Sequence, residues 1–189
     1  MLRFALPADA PALRAIYAQY IGTSVTFEFE LPSAAEFARR IEDVSAFYPY
    51  LVWEEDGRVL GYAYAHRFAA RAAYQWSAEL SVYVDKNAHA RGIGKALYAA
   101  LIGLLRLQGV RTVYGLVTSP NEKSERFHEA LGFTSAGVTK NVGFKNGQWL
   151  GVTTYELPIA PYDDKPAPPK PIRTLDEAAV TTVLQSCEP

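Results

Sequence analysis

Glu79-Leu-Ser-Val-Tyr-Val-Asp-Lys-Asn-Ala-His-Ala-Arg-Gly-Ile-Gly-Lys-Ala-Leu-Tyr-Ala-Ala-Leu101 is the stretch around which the rest of the chain is organised. It reads as a strand, a glycine-bearing turn and a long helix. Leu80 to Val84 is rich in β-branched and aromatic residues, and Asp85, Lys86 and Asn87 break the pattern. From Gly92 the spacing turns helical, with Ile93, Leu97, Leu101, Leu104 and Leu105 on one apolar face. Gly92 and Gly94 therefore sit where the helix begins, and their missing β-carbons let another molecule approach the backbone. The free first-turn N–H groups and the positive end of the helix dipole make an anion site there, suited to a pyrophosphate. The same two glycines would also serve simply to ease a tight turn.

Working outward towards the N-terminus, Arg67 to Tyr74 is a loop, preceded by strands Tyr50 to Glu55 and Val59 to His66 with the hairpin signal Asp56-Gly57 between them. Ser33-Ala-Ala-Glu36 is a capping box for a helix carrying Phe37, Ile41 and Val44. Before it come a loop with Phe27 and Phe29, and a helix with Leu13, Ile16, Tyr17 and Tyr20 on one face. Asp9 is the expected N-cap of that helix, and Leu2 to Leu6 reads as a first strand. In the other direction Gly109 stops the long helix, and Thr112 to Val117 forms another strand. A short helix follows over Glu122 to Leu131, then a hairpin across Asn146-Gly147. The prolines after Pro158 read as a stiff linker, and Thr174-Leu-Asp-Glu177 as the cap of a last amphipathic helix. Strands and helices in this order predict an α+β, mixed α/β fold. The expected division is a domain over residues 1–159 and a tail over residues 160–189.

Composition bounds the function. The chain has 189 residues, 49% hydrophobic and 21% charged, the balance of a globular domain with a sizeable core. A formal net charge of −1 gives no reason to expect nucleic acid or an anionic membrane as partner. The single cysteine, Cys187, allows neither an internal disulfide nor a multi-thiolate metal site, so a cytoplasmic, reducing setting is expected. His66, His89 and His128 are not at metal-ligand spacing, so no metal is expected.

The order strand, His89-Ala-Arg-Gly-Ile-Gly94, helix, strand, Asn121 loop, short helix, Gly132-Phe133 resembles the GNAT superfamily of N-acetyltransferases. Tyr74-Gln-Trp-Ser-Ala-Glu-Leu-Ser-Val-Tyr-Val84, Pro120-Asn121, Phe127-His-Glu-Ala-Leu-Gly-Phe133 and Gly143-Phe-Lys-Asn-Gly-Gln-Trp149 are similar to the phosphinothricin N-acetyltransferase branch. The similarity runs from Leu2 to about Ile159. It implies a twisted, splayed central sheet flanked by helices, acetyl-coenzyme A as co-substrate, and a homodimer.

The resemblance also implies a site. The pyrophosphate of acetyl-CoA would lie on the backbone of Ala90, Arg91, Gly92, Ile93, Gly94 and Lys95, with His89 at the first motif position, where the family usually has Arg or Gln. The pantetheine arm would run along Val82 and Val84, with Asn121 and Ser124 nearby. Acyl transfer to an amine needs a base, because a protonated amine has no lone pair. Glu79 matches the family's candidate base, its pKa raised by enclosure beside Trp76 and Tyr74. His128 stands where many members have a tyrosine that protonates the leaving thiolate; it would do the same, or hydrogen-bond substrate, or be simply structural.

Phe27, Arg71, Tyr74 and Trp76 match acceptor-pocket positions, and Arg71 suits a carboxylate. Tyr83 and Trp149 read as packing. Enzymes that acetylate phosphinothricin tend to carry basic residues where this chain has Ala69 and Glu28, so amino acids with a neutral tetrahedral head, such as methionine sulfone or sulfoximine, fit its charge better. Peptide N-termini or polyamines as acceptors, and a non-catalytic acyl-CoA sensor, are the alternatives.

Overall fold

The computed structural model describes residues 1–188. In chain order the elements are β1 (Leu2–Phe4), α1 (Ala10–Ile21), α2 (Ala34–Ser45), β2 (Tyr50–Glu55), β3 (Arg58–Arg67), β4 (Ser77–Val84), α3 (Ile93–Gln108), β5 (Thr112–Ser119), α4 (Glu122–Ala130), β6 (Thr134–Lys145), β7 (Gln148–Pro158) and α5 (Glu177–Ser186). The strands make one seven-stranded sheet in the order β1-β2-β3-β4-β5-β7-β6. The β4–β5 pair is parallel, linked through α3, and the other neighbours are antiparallel. The two hairpin turns form where expected. Asp56 and Gly57, and Asn146 and Gly147, all take positive φ, the backbone whose twist matches the flanking strands.

Alternation along the strands sorts the core into two layers. Ala78 and Leu80 of β4 face α3 and pack with Leu97, Leu101 and Leu104. Tyr62 of β3 faces α1 and α2, with Tyr83 of β4 packed against the same cluster as Leu13, Ile16, Phe37 and Ile41. Tyr83 is thus in the packing role expected of it, its ring 5.0 Å from Tyr17 and 5.3 Å from Tyr62. Trp149 is not: it is 63% exposed, its ring tilted against Phe144 on the outer surface of the β6–β7 hairpin.

Two cap expectations are corrected. Asp9 precedes α1 but turns back, accepting from the Leu6 N–H at 2.8 Å and pairing with Arg3, because a guanidinium is a stronger partner than a helix N–H. At α5 the cap is Asp176, which accepts from the Ala179 N–H, while Thr174 ends a 3-10 turn. Ser33 does cap α2 through the Glu36 N–H. The tail is strapped to the domain: Lys170 N–H donates to Gln108 O, Ile172 N–H to Phe47 O, and Ile172 is buried. Val183 of α5 lies so close to α3 that a β-carbon on Gly103 would stand 2.6 Å from it.

Candidate active site

The strand β4 is paired on one edge along its whole length and on the other only at its start. Against β3 it runs from Ala78 to Val84, but against β5 the register stops at Glu79↔Tyr114. The two parallel strands then splay. The phase of the β3–β4 ladder says which groups face the gap. Asp85 N–H donates to Leu60 O, so Tyr83 and Ser81 bond to β3 while Leu80, Val82 and Val84 turn their N–H and C=O the other way. Side chains take some of those groups: Tyr98 Oη–H donates to Leu80 O, and Tyr20 Oη–H and His89 both reach Val84 O. The N–H and C=O of Val82 and the N–H of Val84 have no strand partner.

Where the gap opens, β4, the start of α3 and α4 enclose a cavity of about 360 Å³. Its walls include Val82, Val84, His89, Ala90, Gly92 and Ile93, with Gly94 and Lys95 at the helix start and Asn121 and Ser124 opposite. The expected cofactor residues therefore come together, with one exception. The Arg91 side chain turns away to Glu55, at 2.6 Å, because that carboxylate lies across the turn. Gly92 has φ +81° and Ala90 φ +63°, so a non-glycine residue also adopts the left-handed backbone in this turn. Alternation of right- and left-handed residues turns successive N–H groups to one side, the arrangement that cradles phosphate.

Lys123 was missed by the sequence reading, and His89 explains its position. The His89 Nε2–H donates to Val84 O, leaving Nδ1 to accept from Lys123 Nζ at 2.7 Å. Burial, then the Lys123 charge, holds this imidazole below the ordinary histidine value, so the ring is neutral and fit to accept. The site residue that replaces the family's Arg or Gln thus anchors an ammonium at the cavity rim.

A β-carbon on Gly94 would make ordinary contacts with Phe127, at 3.4 Å, and with Val84. Gly94→Val is accordingly expected to fold but to raise the KM for acetyl-CoA by roughly tenfold, as the isopropyl group takes space the coenzyme needs. Calorimetric titration with the coenzyme checks this; unchanged affinity would move the coenzyme elsewhere.

Glu79 lies at the last paired position of β4, on the face towards α1 and α2. Its carboxylate is 3.5 Å from His66 Nε2, and the two residues are cross-strand partners. His66 Nδ1–H donates to Arg67 O, so a neutral ring would set its Nε2 lone pair against the carboxylate. Burial disfavours the charged ring, but the hydrogen bond and charge of Glu79 outweigh it and raise the His66 pKa above the ordinary 6.5. The pair therefore stabilises the fold fully below pH 6.5 and loses that contribution as pH rises through the raised value. The melting-temperature deficit of His66→Ala is expected to be largest near pH 6 and to shrink by pH 9; a deficit independent of pH would contradict the ion pair.

The remaining site residues divide. Tyr74, exposed, sets its edge on Phe68, which stacks at 4.1 Å on Tyr114, the register partner of Glu79. Arg71 is exposed just before Tyr74, and among the described residues its guanidinium has no ion-pair or hydrogen-bond partner. Phe27 packs on β6, where a β-carbon on Gly143 would be 2.5 Å from its ring. Trp76 is the correction. It shares the parity of Ala78 and Leu80, so the pleat carries it away from Glu79, and its indole N–H donates to Ala167 O in the tail. It does not enclose Glu79.

His128 is 4% exposed, stacked on Tyr155 and edged by Phe133 and Phe127. Gly115 makes the room, since a β-carbon there would be 2.3 Å from Nε2. The ring's Nδ1–H donates to Ser124 O, and burial keeps its pKa below the ordinary value. Nε2 is then an acceptor, 3.3 Å from Tyr98 Oη, whose proton it shares with Leu80 O, at a cleft of about 70 Å³ between β4 and β5. In this state His128 carries no proton for a leaving thiolate, which sets the geometry against the acid role.

The Acetyltransferase (GNAT) domain family matches residues 2–153. The chain belongs to the GNAT acetyltransferase family. It is an N-acetyltransferase using acetyl-CoA. The phosphinothricin N-acetyltransferase of Streptomyces viridochromogenes is 37% identical over 177 residues, 93% of this chain and 94% of that one. The L-methionine sulfoximine/L-methionine sulfone acetyltransferase of Pseudomonas paraeruginosa is 33% identical over 87% of this chain and 98% of that one. The crystal structure of a GNAT superfamily phosphinothricin acetyltransferase from Sinorhizobium meliloti in complex with AcCoA superposes with TM-score 0.82 at 35% identity, covering 92% of this chain and 98% of that one. This GNAT chain is thus similar across nearly its whole length to acetyltransferases of small amino-acid-like compounds.

Proposed function

We propose that this enzyme moves the acetyl group of acetyl-CoA to the primary amine of a small amino-acid acceptor by direct attack. The observation that carries the reading is the Glu79 carboxylate, held with His66 where β4 and β5 separate, between the cavity at the start of α3 and the α1–α2 face. The coenzyme's pyrophosphate lies on the turn before α3, and its pantetheine amides pair with the open edge of Val82 and Val84. The Val82 N–H donates to the thioester oxygen and stabilises the charge that grows there. Glu79 takes a proton from the acceptor's ammonium, directly or through one water. The amine lone pair then attacks the thioester carbon, the C–S bond breaks, and the nitrogen's remaining surplus proton passes through solvent to the departing thiolate, leaving the amide and the free thiol of coenzyme A. His128 positions Tyr98 and the floor of the cleft.

Arg71, free of protein partners among the described residues, suits the acceptor's carboxylate. Relatives named for phosphinothricin and for methionine sulfoximine or sulfone support a compact amino acid with a tetrahedral head. The charge expectation at Glu28 needs adjustment: Arg40 pairs with it at 2.7 Å, so Glu28 is not a free anion. Residues 1–159 act as the catalytic domain, with the tail as a strap. The exposed Val138, Val142, Phe144 and Trp149 of the β6–β7 hairpin suit a homodimer contact.

An acceptor screen with free-thiol readout tests this reading. Amino acids with sulfone, sulfoximine or phosphinate heads are expected to give the highest kcat/KM. Higher values for a polyamine or a peptide N-terminus would overturn the acceptor class, and coenzyme binding with no turnover on any amine would make the protein a sensor.

A further inference from the structure

Beneath α2, on the opposite face of the sheet from α3, lies a cavity of about 210 Å³ that coenzyme binding does not use. Three tyrosine rings stand in its floor. Tyr50 and Tyr64 stack at 4.8 Å, and Tyr62 lies nearly parallel to Tyr64, with 9° between the planes. Tyr50 and Tyr62 are 2% and 1% exposed. Among the described residues neither hydroxyl has a hydrogen-bond partner, and burial raises both phenols well above their ordinary pKa, so each O–H keeps its proton. Tyr17, by contrast, bonds to Thr26 at 2.6 Å.

The protein's own hydrogen bonds use neither phenol, and both oxygens are reachable from the cavity that the two rings line. Two O–H donors open to one cavity can meet acceptor oxygens that come from outside. The cavity also leads to the reacting centre, because His66 lines it and its Nε2 is 3.5 Å from Glu79. The charges around it leave no surplus cation. Arg40 in its wall is shared between Glu28 and Glu36, and Asp43 adds a further carboxylate.

We propose that this cavity receives the acceptor's side-chain head, an uncharged group with hydrogen-bond-accepting oxygens that take the O–H donors of Tyr50 and Tyr62. The proposal rests on the reading that Glu79 deprotonates the acceptor's amine, and it adds where the rest of the acceptor goes. An α-amino acid with its amine at Glu79 and its carboxylate at Arg71 would extend its side chain past His66 into the cavity.

Methionine and methionine sulfone differ only in two oxygens on sulfur, which makes them the probes. The ratio of kcat/KM for the sulfone to that for methionine is expected to fall by roughly tenfold or more in Tyr50→Phe/Tyr62→Phe, because a site built to bond an oxygen loses its discrimination with its donors. The melting temperature of that variant without ligand should stay within a few degrees of the wild-type value, since no hydrogen bond within the protein is removed. An unchanged ratio in an active double variant, or a melting temperature several degrees lower, would overturn the proposal alone. A wild-type preference for phosphinothricin over the sulfone would overturn the uncharged-head assignment. Failure of the wild type to acetylate either methionine compound would instead sink the amino-acid reading beneath it, and the proposal with it.

Discussion

Glu79→Gln is expected to lower kcat by about 100-fold or more at neutral pH, with the KM for acetyl-CoA unchanged. The amide keeps the shape of the carboxylate and a polar contact with His66, but it cannot take the ammonium proton. A factor of 100 is about 2.7 kcal/mol of transition-state stabilisation, within the range for a positioned general base. The loss should appear in kcat at saturating acceptor, because the proton is removed during reaction rather than on binding. Part of the activity should return as pH approaches the acceptor amine's own pKa, where the free amine no longer needs the base. A wild-type rate in the variant would remove Glu79 from the chemistry and leave its pairing with His66 as a structural contact.

Lys145→Met is expected to lower stability by roughly 2–4 kcal/mol and to raise the acceptor KM several-fold while sparing coenzyme affinity. Lys145 is 4% exposed, and its ammonium donates to three backbone carbonyls, Ile21 O, Thr26 O and Glu28 O, at 2.6–2.8 Å. These lie at the end of α1 and on the loop after it that carries Phe27, so one side chain of β6 fixes the loop beside the acceptor pocket. Methionine keeps the aliphatic stem and removes all three donors. For a chain of 189 residues the loss corresponds to roughly 5–10 °C in melting temperature. Scanning calorimetry and acceptor titration together check it. A wild-type melting temperature would show that water replaces the ammonium at no cost.

The fold was legible because its signals are local. Asp56-Gly57 and Asn146-Gly147 place two hairpins, the period switch after Asp85 places the central strand and α3, and the glycine turn places the coenzyme cavity. What stayed hidden depends on register between strands. His66 and Glu79 face each other only because β3 and β4 pair with that offset, and the loop between them leaves the offset open to any reader of the sequence. Trp76 was misplaced for the same reason, since its parity, and not its nearness in sequence to Glu79, decides its face.

Charged side chains were the other blind spot. Lys145, next to a hairpin turn, reads as a solvated lysine, yet it is buried on backbone carbonyls supplied from more than a hundred residues away. Glu28 reads as a repulsive anion until Arg40, one helix later, is seen to pair with it. His128 reads equally as proton donor, substrate partner or structural ring, and only the contacts with Ser124 O and Tyr155 show how it is held.

Product analysis by mass spectrometry after incubation with acetyl-CoA and methionine sulfone tests the central claim most directly. The account predicts that each coenzyme A released is matched by one N-acetylated amino acid, and that no acetyl group is found on the protein at any time in single turnover. Thiol release without N-acetyl product, or a protein carrying the mass of an acetyl group on the reaction path, would contradict direct transfer to an amine at Glu79.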